Sequence, residues 1–215
     1  MSNFNTNKVT DMNAMFNGCS NLISLNLTSF NTSNVTSMST MFMGCSKLEE
    51  LNLSNFNTSN VATMFGMFSG CESLASLNIS SFNTSNVTDM SSMFGSCRNL
   101  TTINVSSFNT SNVETMVYMF EGCQKMTTLD LSNFNTSNVT NMLSMFEGCI
   151  NLIELNINGF DFTNVTNKKA MFDSMPTRAA GAIIKVKDSD AQSTVLNSVT
   201  ECPSDWDTTN VIIAE

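Results

Sequence analysis

Histidine is absent from the 215-residue sequence, which removes the commonest general base and a leading metal ligand. Charge is scarce, at 13% of residues, about half the usual share. Cations are scarcer still: 9 Lys and Arg face 18 Asp and Glu, for a formal charge of −9. That balance excludes a nucleic-acid partner, whose phosphates select a basic face. It also argues against anionic membrane surfaces. No apolar run reaches the roughly 18 residues that read as a bilayer-spanning helix, so this segment is not expected to insert in a membrane. The opening residues, Met-Ser-Asn-Phe-Asn-Thr-Asn-Lys, lack the apolar region of a secretory peptide. There are 2 prolines, 1 Trp and 1 Tyr beside 16 Phe and 17 Met. So lopsided a composition has one cause, repetition.

Cysteines stand at 19, 45, 71, 97, 123 and 149, always 26 apart. The same interval governs Phe4 to Phe160, Val9 to Val165, and the Met-Phe pairs from Met15-Phe16 to Met171-Phe172. Self-similarity at a fixed period of this size marks a solenoid or related array.

Within one unit, Leu48-x-x-Leu51-x-Leu53-x-x-Phe56 has leucine-rich-repeat spacing, and the alternation across Leu51 to Ser54 is that of a strand. From Val61 through Met64, Met67-Phe68 and Cys71 to Leu74 the apolar spacing lengthens to three or four residues, which predicts a short amphipathic helix. Ser59 or Asn60 can cap its start, Ser111 with Glu114 matches a capping box, and Gly18, Gly44, Gly70, Gly122 and Gly148 sit where a left-handed residue would end it. Asn57-Thr58-Ser59 supplies the intervening turn.

The expected fold class is α/β: a right-handed leucine-rich-repeat solenoid of strand–turn–short-helix coils. Helices are wider than strands, so the stack should curve with its strands on the concave side. Residues 1–175 form this array: a half coil, then six repeats starting at Cys19, Cys45, Cys71, Cys97, Cys123 and Cys149. The pattern decays beyond 172, where Lys168 replaces Met, Met175 replaces Cys, and Pro176 follows. Residues 176–215 are expected to cap the stack. Ile183, 26 after Ile157, begins a strand to Val186, and Ser189 starts a helix running to about Val199. The first coil begins in mid-unit, so its apolar face (Val9, Met12, Met15, Phe16, Leu22, Leu25, Leu27) is expected to be covered by an upstream segment or another subunit.

The recurring LNLSNFNTSNVTNMxxMFxGC resembles the BspA-like leucine-rich-repeat surface proteins, over residues 4 to about 172. These carry a repeat catalogued from mycoplasma lipoproteins as a domain of unknown function. The resemblance implies a cell-surface or extracellular binding module for adhesion to a host protein or glycan. A structural spacer or a phage tail component without a ligand of its own is the competing reading.

The candidate binding positions are the outward strand residues. One row is Asn26, Asn52, Asn78, Asn104, Asp130 and Asn156; beside it run Thr28, Ser54, Ser80, Ser106, Ser132 and Asn158. Stacked amides there either bond one another between coils and solvate the sheet, or form a recognition face. Glu50, Asp130 and Glu154 are its acidic interruptions, and no aromatic projects from it. The periodic cysteines offer one ligand per coil rather than a converging set, so they read as buried thiols and no metal site is expected. Cys202 lies outside their pattern. The Met and Phe stripes read as core. The Thr32 to Thr136 row resembles the arrays of ice-binding solenoids, but a curved stack breaks lattice matching. No nucleophile–base pair, phosphate loop or paired-carboxylate site is present, so neither a cofactor nor enzymatic activity is expected.

Overall fold

A computed structural model describes residues 4–198 and 203–214; the expected helix end at Val199, and Cys202, lie outside the described residues. The fold is α/β, with small parallel sheets and little helix. Strand β1 (Ser24–Leu25) pairs in parallel with β2 (Glu50–Leu51), and Asn52 bridges Asn78. Strands β3 (Thr128–Asp130), β4 (Glu154–Asn156), β5 (Ile183–Val186) and β6 (Val211–Ile213) form one parallel sheet in that order. A second parallel ladder, one residue wide, runs through Asp11, Ser37, Thr63, Asp89, Thr115, Asn141 and Asn167. Neighbouring units therefore lie side by side in the register set by the sequence period, as a repeat fold requires.

The short helix expected in each unit is not formed; among the described residues the single α-helix is α1 (Ser189–Asn197). An α-helix spends its N–H groups on its own carbonyls four residues back. Here Met12, Ala14, Phe16 and Gly18 instead donate to Ser37, Ser39, Met41 and Met43 of the next unit, and Met38, Thr40, Phe42 and Gly44 repeat the arrangement one unit on. The intervening amides of Met15, Asn17 and Cys19 close tight turns to carbonyls three residues back. Both turn positions are left-handed, with φ of 56° at Ala14 and 73° at Gly18, a conformation that no α-helix contains. Ser92 and Ser96 occupy the same pair of positions in a later unit, at 55° and 57°. Glycine therefore does sit at a left-handed site, as its spacing implied, but within a turn strip. Curvature was expected because helices are wider than strands; without helices in the units, that premise is gone.

The polar residues hold the corners. Asx turns, in which a side-chain oxygen accepts the N–H two residues on, recur at Asn31, Asn57, Asn83, Asn109 and Asn135. Ser59 and Ser111 are thus the donors in such turns rather than helix caps. The Thr row is buried, not a surface array: Thr32, Thr58, Thr84, Thr110 and Thr136 are at most 1% exposed. Each hydroxyl staples two units. Thr84 Oγ1 donates to the Asn109 carbonyl at 2.9 Å and accepts the Asn109 N–H at 2.8 Å.

Inside, the apolar positions do what their spacing requires. Val61, Met64, Met67, Phe68, Cys71 and Leu74 are fully buried, and so are their counterparts in adjoining units. The rings of Phe16, Phe42, Phe68 and Phe94 stack in sequence at 5.5–5.8 Å, and the series continues through Phe120 and Phe146 to Phe172. Trp206 then packs on Phe172, tilted by 56° at 5.7 Å, and its indole N–H donates to the Pro176 carbonyl. Fully burying one such side chain contributes roughly 1.5–3 kcal/mol.

Strand β5 departs from the expected register. Ile183 pairs with Glu154, so Ile184 rather than Ile183 follows Leu155, and Val186 takes the place after Ile157. The shift arises at a 3-10 turn, Arg178–Ala180, closed by Gly181 in the left-handed region at φ 91°, which adds three residues to the unit. Helix α1 starts at Ser189 as expected, with Asp188 as the N-cap that accepts the Ala191 N–H. Helix α1 also guards the edge of β6, since Gln192 Nε2 donates to the Val211 carbonyl while the Val211 N–H is held by Asp207. Edge strands blunted in this way resist pairing with other chains.

Two stability outcomes follow. Met93→Ala, at a fully buried central position, should cost about 2–5 kcal/mol in urea denaturation, whereas Met15→Ala, at a position 40% exposed, should cost clearly less. Equal losses would contradict the unit-on-unit packing. Thr84→Val should cost about 1–3 kcal/mol, because it strands the Asn109 N–H. Thr84→Ser, which keeps the hydroxyl, should cost less than the valine.

Candidate binding face

The expected outward positions are at the surface: Asn26, Thr28, Asn52, Ser54, Asn78, Ser80, Asn104, Ser106, Asp130 and Ser132 are exposed, and Asn156 and Asn158 half-buried, although no strand forms in the unit of Asn104 and Ser106. They do not bond one another between units. Each amide or carboxylate oxygen instead turns back on its own chain and accepts the N–H two residues later: Asn26 from Thr28, Asn52 from Ser54, Asn78 from Ser80, Asn104 from Ser106, Asp130 from Ser132, and Asn156 from Asn158. Thr28 and Ser80 add their hydroxyls to the same oxygens. The oxygen is thereby used to shape the strand's exit, and the amide nitrogen of each Asn is left facing outward as a donor.

These residues gather in two grooves. Ser24, Asn26, Thr28, Glu49, Glu50, Asn52, Ser54, Ser76 and Asn78 line a groove of about 820 Å³, floored by Leu25, Leu27 and Leu51. Thr128, Asp130, Glu154 and Asn156, with Ile183 and Lys185 of β5, line a second of about 280 Å³. Ser80, Asn104, Ser106, Ser132 and Asn158 lie outside both linings. Sequence spacing passed over Glu49 and Lys185: Glu49 stands one place before the recurring outward positions, and Lys185 enters through the register shift at β5. Neither groove lining holds an aromatic side chain.

The cysteine ladder is chemically closed. Cys45, Cys71, Cys97, Cys123 and Cys149 are fully buried free thiols. Each donates to the carbonyl of a Phe in the preceding unit, Cys45 to Phe16 at 3.1 Å and Cys97 to Phe68 at 3.2 Å among them. Burial pushes the Cys45 thiol up to about 11 and those of Cys97 and Cys149 to about 12, and it raises Cys71 and Cys123 as well. Protonated, hydrogen-bonded thiols are neither nucleophiles nor metal ligands. Cys19, in the first unit, is exposed. Among the described residues no group of His, Cys, Asp or Glu is placed to hold a metal ion, and no helix is long and apolar enough to cross a membrane.

Residues 1–77 and 74–180 both match one family, described as "Mycoplasma protein of unknown function, DUF285". The chain belongs to that family. No curated protein and no solved structure matches it. The DUF285 matches span the repeats and stop before β5 and α1, and the strand-face positions of the larger groove recur within both matched segments.

The thiol ladder sets a pH limit. An unfolded thiol ionises near 9.0 while the folded ones hold their protons above that value, so their contribution to stability is intact below pH 9 and falls as pH rises past it. Thermal midpoints should therefore drop from pH 9 upward, and Cys97→Ala should make that drop shallower. An unchanged slope would contradict the linkage. In the native protein Ellman's reagent should modify Cys19 long before the ladder thiols.

Proposed function

We propose that this DUF285 chain is a non-enzymatic binding module of a surface or extracellular protein, recognising a host protein or glycan through its strand face. On this reading the stacked units form a right-handed leucine-rich-repeat solenoid, with a turn strip in place of the helix. The observation that carries the proposal is the larger groove. Asn26, Thr28, Asn52, Ser54 and Asn78, all outward by periodicity, converge on a concavity of about 820 Å³, a size suited to a ligand. Its amide donors stand one strand apart, about 4.8 Å, so a ligand with regularly spaced acceptors can meet several at once. Glu49 and Glu50 add acceptors for hydroxyls or a cationic side chain.

The test uses a printed glycan array and immobilised extracellular-matrix proteins, with the purified chain as probe. Asn52→Arg with Asn78→Arg should abolish binding by filling the groove. Asn52→Asp with Asn78→Asp keeps the turn acceptor, as Asp130 shows by holding the Ser132 N–H at 2.9 Å, yet removes the outward donors. It should weaken binding while leaving the thermal midpoint close to that of the parent. Binding that survives both pairs of substitutions would overturn the proposal and favour a spacer.

A further inference from the structure

In the last unit the repeat breaks in a way that packing does not require. Position 168 is Lys where the preceding units carry Met12, Met38, Met64, Met90, Met116 and Met142, each at most 2% exposed. Lys169 follows it. The two lysines line a cleft of about 340 Å³ whose opposite wall is the C-terminal half of α1: Ser193, Thr194, Asn197 and Ser198. Among the described residues the lining is two ammonium groups, three hydroxyls and one amide, without a carboxylate. The strand-face grooves, by contrast, carry Glu49 and Glu50 or Asp130 and Glu154. A cationic cleft in a chain of net charge −9 calls for a reason.

Internal pairing does not supply one. The ion pairs of the described residues join Arg98 to Glu72, Arg178 to Asp207, and Lys187 to Asp161 and Asp188; neither Lys168 nor Lys169 takes part. Capping of α1 does not supply one either. The Thr194 carbonyl accepts the Ser198 hydroxyl at 2.8 Å and the Val195 carbonyl accepts the Ser198 N–H, so the last turn is closed from within. The helix C-terminus carries a partial charge of about −0.5, against two full positive charges. The cleft retains an excess of positive charge.

We infer that this cleft is a binding site for an oxyanion, the carboxylate, sulfate or phosphate group of an acidic ligand. Lys168 stands at the repeat's Met position but is half-buried rather than fully buried, so its apolar stem lies along the core while its ammonium lines the cleft. Two ammoniums supply charge-assisted bonds. The Ser193 and Thr194 hydroxyls and the Asn197 amide supply neutral donors around the anion's remaining oxygens, while the Ser198 hydroxyl stays on the Thr194 carbonyl. The site lies apart from the strand-face grooves and does not depend on them.

The repeat itself provides the test. Lys168→Met restores the residue found in the preceding units and Lys169→Ser the one at Ser39 and Ser91, so the double variant loses the charge while regaining the packing of its neighbours. Amide chemical shifts of the 15N-labelled chain are followed during titration with sodium sulfate, sodium phosphate and sodium acetate, at ionic strength held constant with sodium chloride. Saturable shifts should appear at residues 168–170 and 193–198, and the three salts rank the anion classes. In the double variant the apparent affinity should fall by about tenfold or more with the thermal midpoint unchanged or raised. Ser193→Glu, at an exposed helix position that adds a carboxylate to the cleft, should do the same and guards against a misfolded double variant. Lys8→Ser, in the first unit, should leave binding intact. Non-saturating shifts with all three salts, or saturation that persists in both cleft variants, would overturn the site.

Discussion

Backbone hydrogen bonds between units, repeated at a fixed chain separation, are the constraint on which the rest of this molecule depends. Along the turn strip every second amide is spent on the carbonyl 25 residues further on, and the intervening ones close local turns. That division fixes where left-handed residues must fall, which side chains turn inward, and how the Phe rings stack. It also accounts for the composition. A chain whose backbone is satisfied by neighbours rather than by its own helices has little use for Ala, Glu or Lys, the strong helix formers, and much use for Asn, Ser and Thr, which close turns. Low charge and abundant small polar residues are two faces of one architecture.

The period, the parallel stacking and the inward residues were legible because repetition reports contact directly: Cys45 lies above Cys19 for the same reason that Phe42 lies above Phe16. The turn strip was misread as a helix because Met12, Met15, Phe16, Cys19 and Leu22 have the spacing of a helical stripe, which two consecutive tight turns reproduce. Evidence against a helix was present in the outward residues. Asn13, Ser39, Ser91 and Ser92 are weak helix formers, and nothing like a Glu–Lys pair supports a helical surface. The burial of the Thr row was not legible for a related reason: a hydroxyl suggests solvent until the facing N–H and carbonyl of the next unit are seen. The register of β5 was beyond reach, because a three-residue insertion leaves the local apolar pattern looking intact.

The strand face shows how one residue type serves structure and surface together. An Asn side chain has an acceptor end and a donor end. At Asn26, Asn52 and Asn78 the acceptor is consumed by the strand's own exit turn, which holds the amide plane in place and turns the donor outward. Such preorganisation lowers the entropy lost when a ligand binds. The candidate residues were legible as a row; the grooves were not, since their depth depends on Glu49 and on how β5 enters the sheet.

The two edges of any internal unit are the same edge twice over. What Thr58 offers to Asn83 is what Thr32 offers to Asn57, and the thiol, ring and carbonyl contacts follow suit. Excising or duplicating one whole unit of 26 residues therefore rejoins surfaces that already fit, whereas a change of any other length mismatches every ladder at once. Genes for such chains are free to vary in whole-unit steps through recombination between near-identical segments, lengthening or shortening the strand face without redesigning it.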